Sequence, residues 1–209
     1  MHKRAVEHRL AAVEGFRDPD PALEQYPTPA DVAAHLLHVA AVRGDLADAT
    51  VVDLGAGTGS LALAAALYEP ARVVAVERDP APLVTARHNE RRVEPPVPVA
   101  WVRGDATRPP VRPRGPVTVV SNPPFGAQTT NEHADRRFLS AVAALAERVP
   151  VVSYTVHNDG SRGFVESFAA DAGATVTDAY AVAFPVARQF EHHTDDRRTI
   201  QTQVFRTEW

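Results

Sequence analysis

The chain has 209 residues, 44% of them hydrophobic and 23% charged, with 22 basic against 26 acidic side chains and a formal net charge of −4. That length and balance fit one soluble domain able to bury its own core. The lack of cysteine excludes disulfides, Cys-ligated zinc, iron–sulfur clusters and a thiol nucleophile, and the acidic total argues against a surface coated in positive charge for nucleic acid.

Along the chain, Arg4 to Glu14 places Val6, Leu10 and Val13 on one helical face before Gly15 and Asp18-Pro19-Asp20-Pro21 break it. Thr28-Pro29-Ala30-Asp31 reads as a helix start, with threonine as cap and proline at the first helical position; that helix carries Val32, Leu36 and Leu37 and ends near Gly44. From there strands and helices alternate. Strands are expected at Thr50–Leu54, Arg72–Val76, Val97–Val102, Val117–Ser121, Val151–Val156, Thr175–Val182 and Ile200–Phe205. Helices are expected at Ser60–Tyr68, from Asp79-Pro80 to Arg92, at His133–Glu147 and at Ser161–Ala172. Alternation implies parallel pairing in a doubly wound α/β sheet, and the last two strands, with no helix between them, are expected to pair antiparallel. Pro109–Pro116 and Gln128–His133 read as surface loops. The most apolar stretch, Ser60 to Tyr68, falls far short of the ~20 residues a bilayer span needs, and no apolar export segment precedes the first acidic residues. A cytoplasmic protein with no membrane partner is the expectation.

The first strand runs into Asp53-Leu54-Gly55-Ala56-Gly57-Thr58-Gly59-Ser60. Glycines there let a ligand approach the backbone, and the helix that follows presents unpaired N–H groups. Such a turn is a general nucleotide-binding device, shared in close form by nicotinamide enzymes, although those favour glycine or alanine where Ser60 stands. Two more acids sharpen the reading. Glu77 ends the second strand, where a carboxylate can accept from ribose hydroxyls, and Asp105 ends the third at the same sheet edge, where it can accept from an adenine amino group. Together they describe an adenosine pocket.

The fourth strand ends in Asn122-Pro123-Pro124-Phe125-Gly126. Two prolines fix a rigid, exposed turn and leave the Asn122 amide and the Pro123 carbonyl free to bond a ligand. On this turn, the glycine loop and the Leu23-Glu24-Gln25-Tyr26-Pro27-Thr28 box, the chain resembles the class I S-adenosylmethionine-dependent methyltransferases. More narrowly, it resembles the methyltransferase-like protein five family, which methylates N6 of an adenosine in small-subunit ribosomal RNA. The resemblance extends over Arg9-Leu10, Val13 to Phe16, Asp135 with Phe138-Leu139, and Tyr154 with His157, and blurs at Phe190-Glu191-His192-His193.

That resemblance implies a Rossmann-like, seven-stranded, mostly parallel sheet whose last strand is antiparallel, behind a short N-terminal helical leader. It implies a single methyltransferase domain over 1–209, with 1–44 as helices and a cofactor-closing segment and 50–209 as the core. It implies S-adenosylmethionine held by Gln25, Tyr26 and Thr28, by Asp53, Gly55, Gly57, Thr58 and Ser60, and by Glu77, Asp105 and Ala106. Asn122, Pro123, Pro124 and Phe125 would form the catalytic turn, the first two accepting from the target amine and Phe125 stacking on the flipped base. It also implies ribosomal RNA as substrate, and a small zinc-containing activator that adds a strand beside residues 97–102. Pro98 suits such an edge, where Trp101 is a large apolar residue to leave.

No metal site is expected within the chain: His35 and His38 are spaced i, i+3 without a third ligand, and His192-His193 beside Asp195-Asp196 reads as a solvated hairpin turn. Positive charge is local, at Arg87, Arg91 and Arg92 and at Arg103, Arg108, Arg112 and Arg114, where phosphate contact or a plain solvated face fits equally. The alternatives are methylation of a protein glutamine, as in release-factor methyltransferases with their extra helical domain, and of DNA adenine. From other classes, a nicotinamide dehydrogenase and a non-catalytic cofactor-binding subunit stand as rivals.

Overall fold

The computed structural model describes residues 1–20, 24–124, 134–187 and 197–209, with only the backbone for 184–187 and 197–200. Phe125, Gly126, the Gln128–His133 loop and the 188–196 segment with its two adjacent histidines lie outside the described residues. The elements are α1 (Lys3–Leu10), α2 (Ala30–Val42), β1 (Thr50–Leu54), α3 (Ser60–Ala66), β2 (Arg72–Glu77), α4 (Pro80–Val93), β3 (Val99–Arg103), β4 (Val117–Ser121), α5 (Ala134–Ala146), β5 (Val151–Asn158), α6 (Arg162–Asp171), β6 (Thr175–Ala187) and β7 (Arg197–Glu208).

One sheet orders the strands β3-β2-β1-β4-β5-β7-β6. The first five run parallel, and β7 is antiparallel to both β5 and β6. The period-2 alternation of β1 and β2 divides their side chains between two cores. Val51, Val73 and Ala75 pack with α1, α2 and α3 on one face, and Val52, Leu54 and Val76 pack with Phe138, Val142 and Leu145 of α5 on the other. α6 closes a smaller cluster through Val165, Leu139 and Phe205. Val6 and Leu10 are buried as their spacing requires, and Asp79 caps α4 through a 3.0 Å bond accepted from the Ala81 N–H.

Two expectations change. Thr28 is not the cap of α2: Pro29 occupies that position and no side chain bonds the helix N–H groups, so the Thr28 hydroxyl is left for other work. The last two strands are longer than expected, because the β6–β7 ladder continues to Ala187 opposite Arg197 after β5 has ended at Asn158 opposite Thr202.

The N-terminal ends of the strands are tied by one buried ion pair. Arg206 of β7 grips Asp45, just ahead of β1, through Nε at 2.8 Å and Nη2 at 2.9 Å, and the Tyr154 hydroxyl donates to the same carboxylate. Burial raises the Asp45 carboxyl, but the bonds from Arg206 and Tyr154 outweigh it and hold the group below its usual range. This pair fixes the antiparallel strand against the parallel half and leaves the opposite sheet edge open. No helix among the described residues is long and apolar enough to cross a membrane.

Candidate active site

Strand order reverses between β1 and β4, and a cavity of about 380 Å³ opens at their C-terminal ends. Ligands of open α/β sheets bind at such a switch point. Its lining gathers residues from the N-terminal segment, the β1–α3 loop, the ends of β2, β3 and β4, and the start of α5.

The β1–α3 loop is built so closely that side chains are excluded. Gly57 and Gly59 have φ of 53° and 95°, which L side chains rarely adopt. A Cβ on Gly57 would stand 2.8 Å from the Phe16 ring, and one on Gly59 2.6 Å from the Trp101 ring. Trp101 is thus not left at the sheet edge for a partner. It turns inward beneath the loop, and its Nε1 donates to Glu90 at 2.7 Å.

Glu77 faces the same loop. Its Oε2 accepts from the Gly57 N–H and its Oε1 from the Asp79 N–H, both at 2.9 Å. Asp105 is exposed and accepts twice from Thr107, through the backbone N–H at 2.8 Å and the hydroxyl at 2.7 Å, which holds its carboxyl below the usual range. Both carboxylates line the cavity with Ala106 and Thr107.

Asp53 lies deeper, 1% exposed. Its Oδ2 accepts from the Ala62 N–H at 2.9 Å, so β1 supplies the carboxylate that Gly59 at the N-cap cannot. Its Oδ1 is buried with no partner among the described residues. Burial pushes this carboxyl up to about 8; the Ala62 bond opposes the shift and the Glu77 charge adds to it.

The N-terminal segment closes over the loop, and the clasp is Asn89 of α4, fully buried. Its Nδ2 donates to Thr58 O and to Glu14 O, both at 2.9 Å, while its Oδ1 accepts from the Glu14 N–H at 2.8 Å. This lays Phe16 over Gly57. Further along, Gln25 accepts from the Asp20 N–H at 2.9 Å and donates to Asp79 at 3.1 Å, pinning the Glu24–Thr28 stretch to the β2–α4 turn.

At the end of β4, the Ser121 hydroxyl donates to Leu54 O at 2.7 Å and sets the following turn beside the glycine loop. Asn122 Nδ2 donates to the Thr28 hydroxyl at 3.1 Å, and Asn122 Oδ1 is buried without a partner among the described residues.

Of the residues singled out from sequence, Gln25, Tyr26, Thr28, Asp53, Gly55, Gly57, Thr58, Ser60, Glu77, Asp105, Ala106, Asn122 and Pro124 line this one cavity. Pro123 is buried behind it, and Phe125 lies outside the described residues. Phe16, Arg78, Arg137 and Phe138 line it too and were missed; Asn89 behind the loop was also missed. Nothing in their local sequence marks them, since each is recruited by tertiary packing. His35 stacks edge-on against Tyr180 and His38 meets the Tyr68 hydroxyl at 3.3 Å. Among the described residues no group of three or more His, Asp or Glu could hold a metal ion.

A glycine loop, two strand-end carboxylates and an Asn-Pro-Pro turn on a seven-stranded sheet with one antiparallel strand define a class I methyltransferase. Comparison with known proteins agrees. Residues 29–150 match the family described as Methyltransferase small domain. The chain is 31% identical to the rRNA N(6)-adenosine-methyltransferase Mettl5 of Drosophila melanogaster over 208 residues, covering 98% of this chain and 95% of the relative. A crystal structure of a candidate RNA methyltransferase from Pyrococcus horikoshii superposes with a TM-score of 0.86 at 30% identity, covering 100% and 98% of the two chains. A release factor glutamine methyltransferase of Mycolicibacterium smegmatis is 46% identical over 95 residues, which is 42% of this chain and 32% of that protein. The chain belongs to the small-domain methyltransferases and, within them, to the Mettl5 family.

The buried Asp53 predicts a measurable pH dependence. From pH 6.5 to 8 the unfolded chain has already lost this proton, at an ordinary value of 3.8, while the folded chain keeps it up to about 8. Rising pH therefore weakens the fold across that window, by about 1.4 kcal/mol per unit. Burial holds the His157 imidazole down to about 4, against the pull of Asp135, so this group adds stability as pH rises through its ordinary 6.5, a smaller opposing slope at the low end of the window that the wild type and the Asp53 variant share. Urea denaturation should show stability falling from pH 6.5 to 8 in the wild type and a flatter profile in Asp53→Asn. Parallel profiles would refute the assignment.

Proposed function

We propose that the chain transfers a methyl group from S-adenosylmethionine to N6 of an adenosine in RNA, and that this RNA is small-subunit ribosomal RNA in the cytoplasm. The observation that carries the reading is Asn122 Oδ1, a buried acceptor without a partner among the described residues, on a residue that lines the cavity. An acceptor left unpaired there costs stability unless a donor from a ligand reaches it. An exocyclic amine is such a donor.

The cavity suits the cofactor. Its lining carries the carboxylates of Glu24, Glu77 and Asp105 and the protonated carboxyl of Asp53, against two guanidiniums, Arg78 and Arg137, and this balance suits a ligand with cationic groups. Glu77 and Asp105 would hold ribose and adenine, and the Glu24–Thr28 stretch would close over the methionine end. When bound, S-adenosylmethionine supplies a methyl group already activated on a sulfonium. The protein's work is alignment. Asn122 Oδ1 and the Pro123 carbonyl accept the two N6 hydrogens, which turns the nitrogen lone pair out of conjugation with the purine ring. No strong base is needed, because the nitrogen becomes acidic as the new bond forms. Phe125, next in the chain, would stack on the flipped base.

RNA as the substrate draws support from the exposed Arg103, Arg108, Arg112 and Arg114 beyond the Asp105 side of the cavity, which suit phosphate contacts. The ribosomal assignment rests on the Drosophila relative, which matches over nearly the whole length. A protein glutamine is the second reading, favoured by the release-factor match; that match is confined to less than half of the chain.

A zinc-carrying activator docking along β3 completes the proposal. β3 is an outer strand of the sheet, and Ala100 and Arg103 on it are exposed. An exposed strand edge is a template for one more strand. With no cysteine in the chain, Cys-ligated zinc must come with the partner.

Asn122→Ala should abolish transfer of a radiolabelled methyl group to RNA while calorimetry finds cofactor affinity kept; turnover at the wild-type rate would sink the mechanism. Co-expression with the activator should raise the yield of soluble protein and its activity. If it changes neither, the edge-strand partner is wrong.

A further inference from the structure

The bond between Asn122 and Thr28 joins residues 94 positions apart, and both line the cavity. Its geometry leaves the amide in one of two orientations of nearly equal shape. Nδ2 faces the Thr28 hydroxyl at 3.1 Å, and Oδ1 is the buried atom left without a partner. Turning the amide by half a rotation would cost little in packing, since its two ends are almost the same size. It would exchange an acceptor for a donor pair at the reaction site. A donor there would meet the hydrogens of an exocyclic amine head-on and would suit a carbonyl instead.

Thr28 is free to choose between these orientations because it serves no helix. Pro29 holds the cap position of α2, and no side chain there bonds the helix N–H groups. A hydroxyl both donates and accepts. Once its proton is given to an anionic group of a ligand in the cavity, only its lone pairs are left to Asn122, and the amide must present Nδ2 to them.

We infer that Thr28 is a positioning residue whose hydroxyl locks the Asn122 amide with Oδ1 toward the reaction site, so that the site takes an amino group and rejects a carbonyl in the same place. The inference rests on the reading of the site as one for an exocyclic amine, and it adds a link between filling the cofactor cavity and readiness of the target site. Thr28 is otherwise assigned only to holding the cofactor.

The test compares Thr28→Val, which keeps the shape and removes the hydroxyl, with Thr28→Ser, which keeps the hydroxyl. The probes are the ribosomal RNA fragment methylated by the wild type and the same fragment with inosine at the target position as a competitor. Thr28→Val should lower kcat roughly tenfold or more. Its cofactor Kd by calorimetry should rise too, since the hydroxyl that donates to the ligand's anionic group is lost, so kcat is read at saturating cofactor, where the fall belongs to the chemical step. Inosine RNA should gain on adenosine RNA by roughly fivefold or more, as the donor end becomes available to a carbonyl. Thr28→Ser should restore both kcat and discrimination. Weaker cofactor binding at unchanged kcat would overturn the inference, as would lost kcat with the adenosine-to-inosine preference intact. Failure of the wild type, with its partner, to methylate any RNA adenosine would overturn the reading of the site, and the inference with it.

Discussion

The site depends on how closely other residues approach the backbone between β1 and α3. Phe16 from the N-terminal segment presses on Gly57, Trp101 from β3 on Gly59, and Phe138 from α5 comes within 3.2 Å of where a Cβ on Gly55 would stand. Three distant parts of the chain therefore meet at one loop, and none of them could sit as it does if that loop carried side chains. The left-handed backbone at Gly57 and Gly59 is what lets it fold flat enough to receive them. The same contacts bring the N-terminal segment, a strap over the loop, together with the sheet edge and the helix behind the proline turn at one cavity.

Hydrogen bonds complete what packing begins. Asn89 spends its whole amide on the strap and the loop, so the strap is held by a buried and satisfied group, with the Arg92–Glu14 ion pair beside it at the surface. Ser121 ties the end of β4 to β1, and Asn122 reaches from there to Thr28 on the strap. Among the buried side-chain atoms without a partner in the described residues, Asp53 Oδ1 lies at the base of the glycine loop and Asn122 Oδ1 on the proline turn. Both belong to residues that line the cavity.

Much of this was legible in the sequence. The buried strands appear as short apolar runs between turn residues, and the acids at their ends fall at one sheet edge because parallel strands bring their C-termini together. Asp53, Glu77, Asp105 and Asn122 could be read for that reason alone. Phe16 and Asn89 could not, because their roles exist only once the N-terminal segment folds back over α4. Thr28 was misread in one respect: its local pattern is that of a helix cap, yet the tertiary bond to Asn122 takes the hydroxyl. The reach of β7 was hidden too, since Arg197-Arg198-Thr199, which pair with β6 beyond the end of β5, are polar and lack a strand pattern. The net charge of −4 carried less information than its distribution, with carboxylates gathered in the cavity and arginines exposed outside it.

The central claim is that this cavity serves methylation of an adenosine N6 in ribosomal RNA. Mass spectrometry of nucleosides from small-subunit ribosomal RNA of wild-type and deletion strains tests it most directly. The account predicts that N6-methyladenosine is present in the wild type and lost from one position in the deletion strain. The same N6-methyladenosine content in both strains would contradict it.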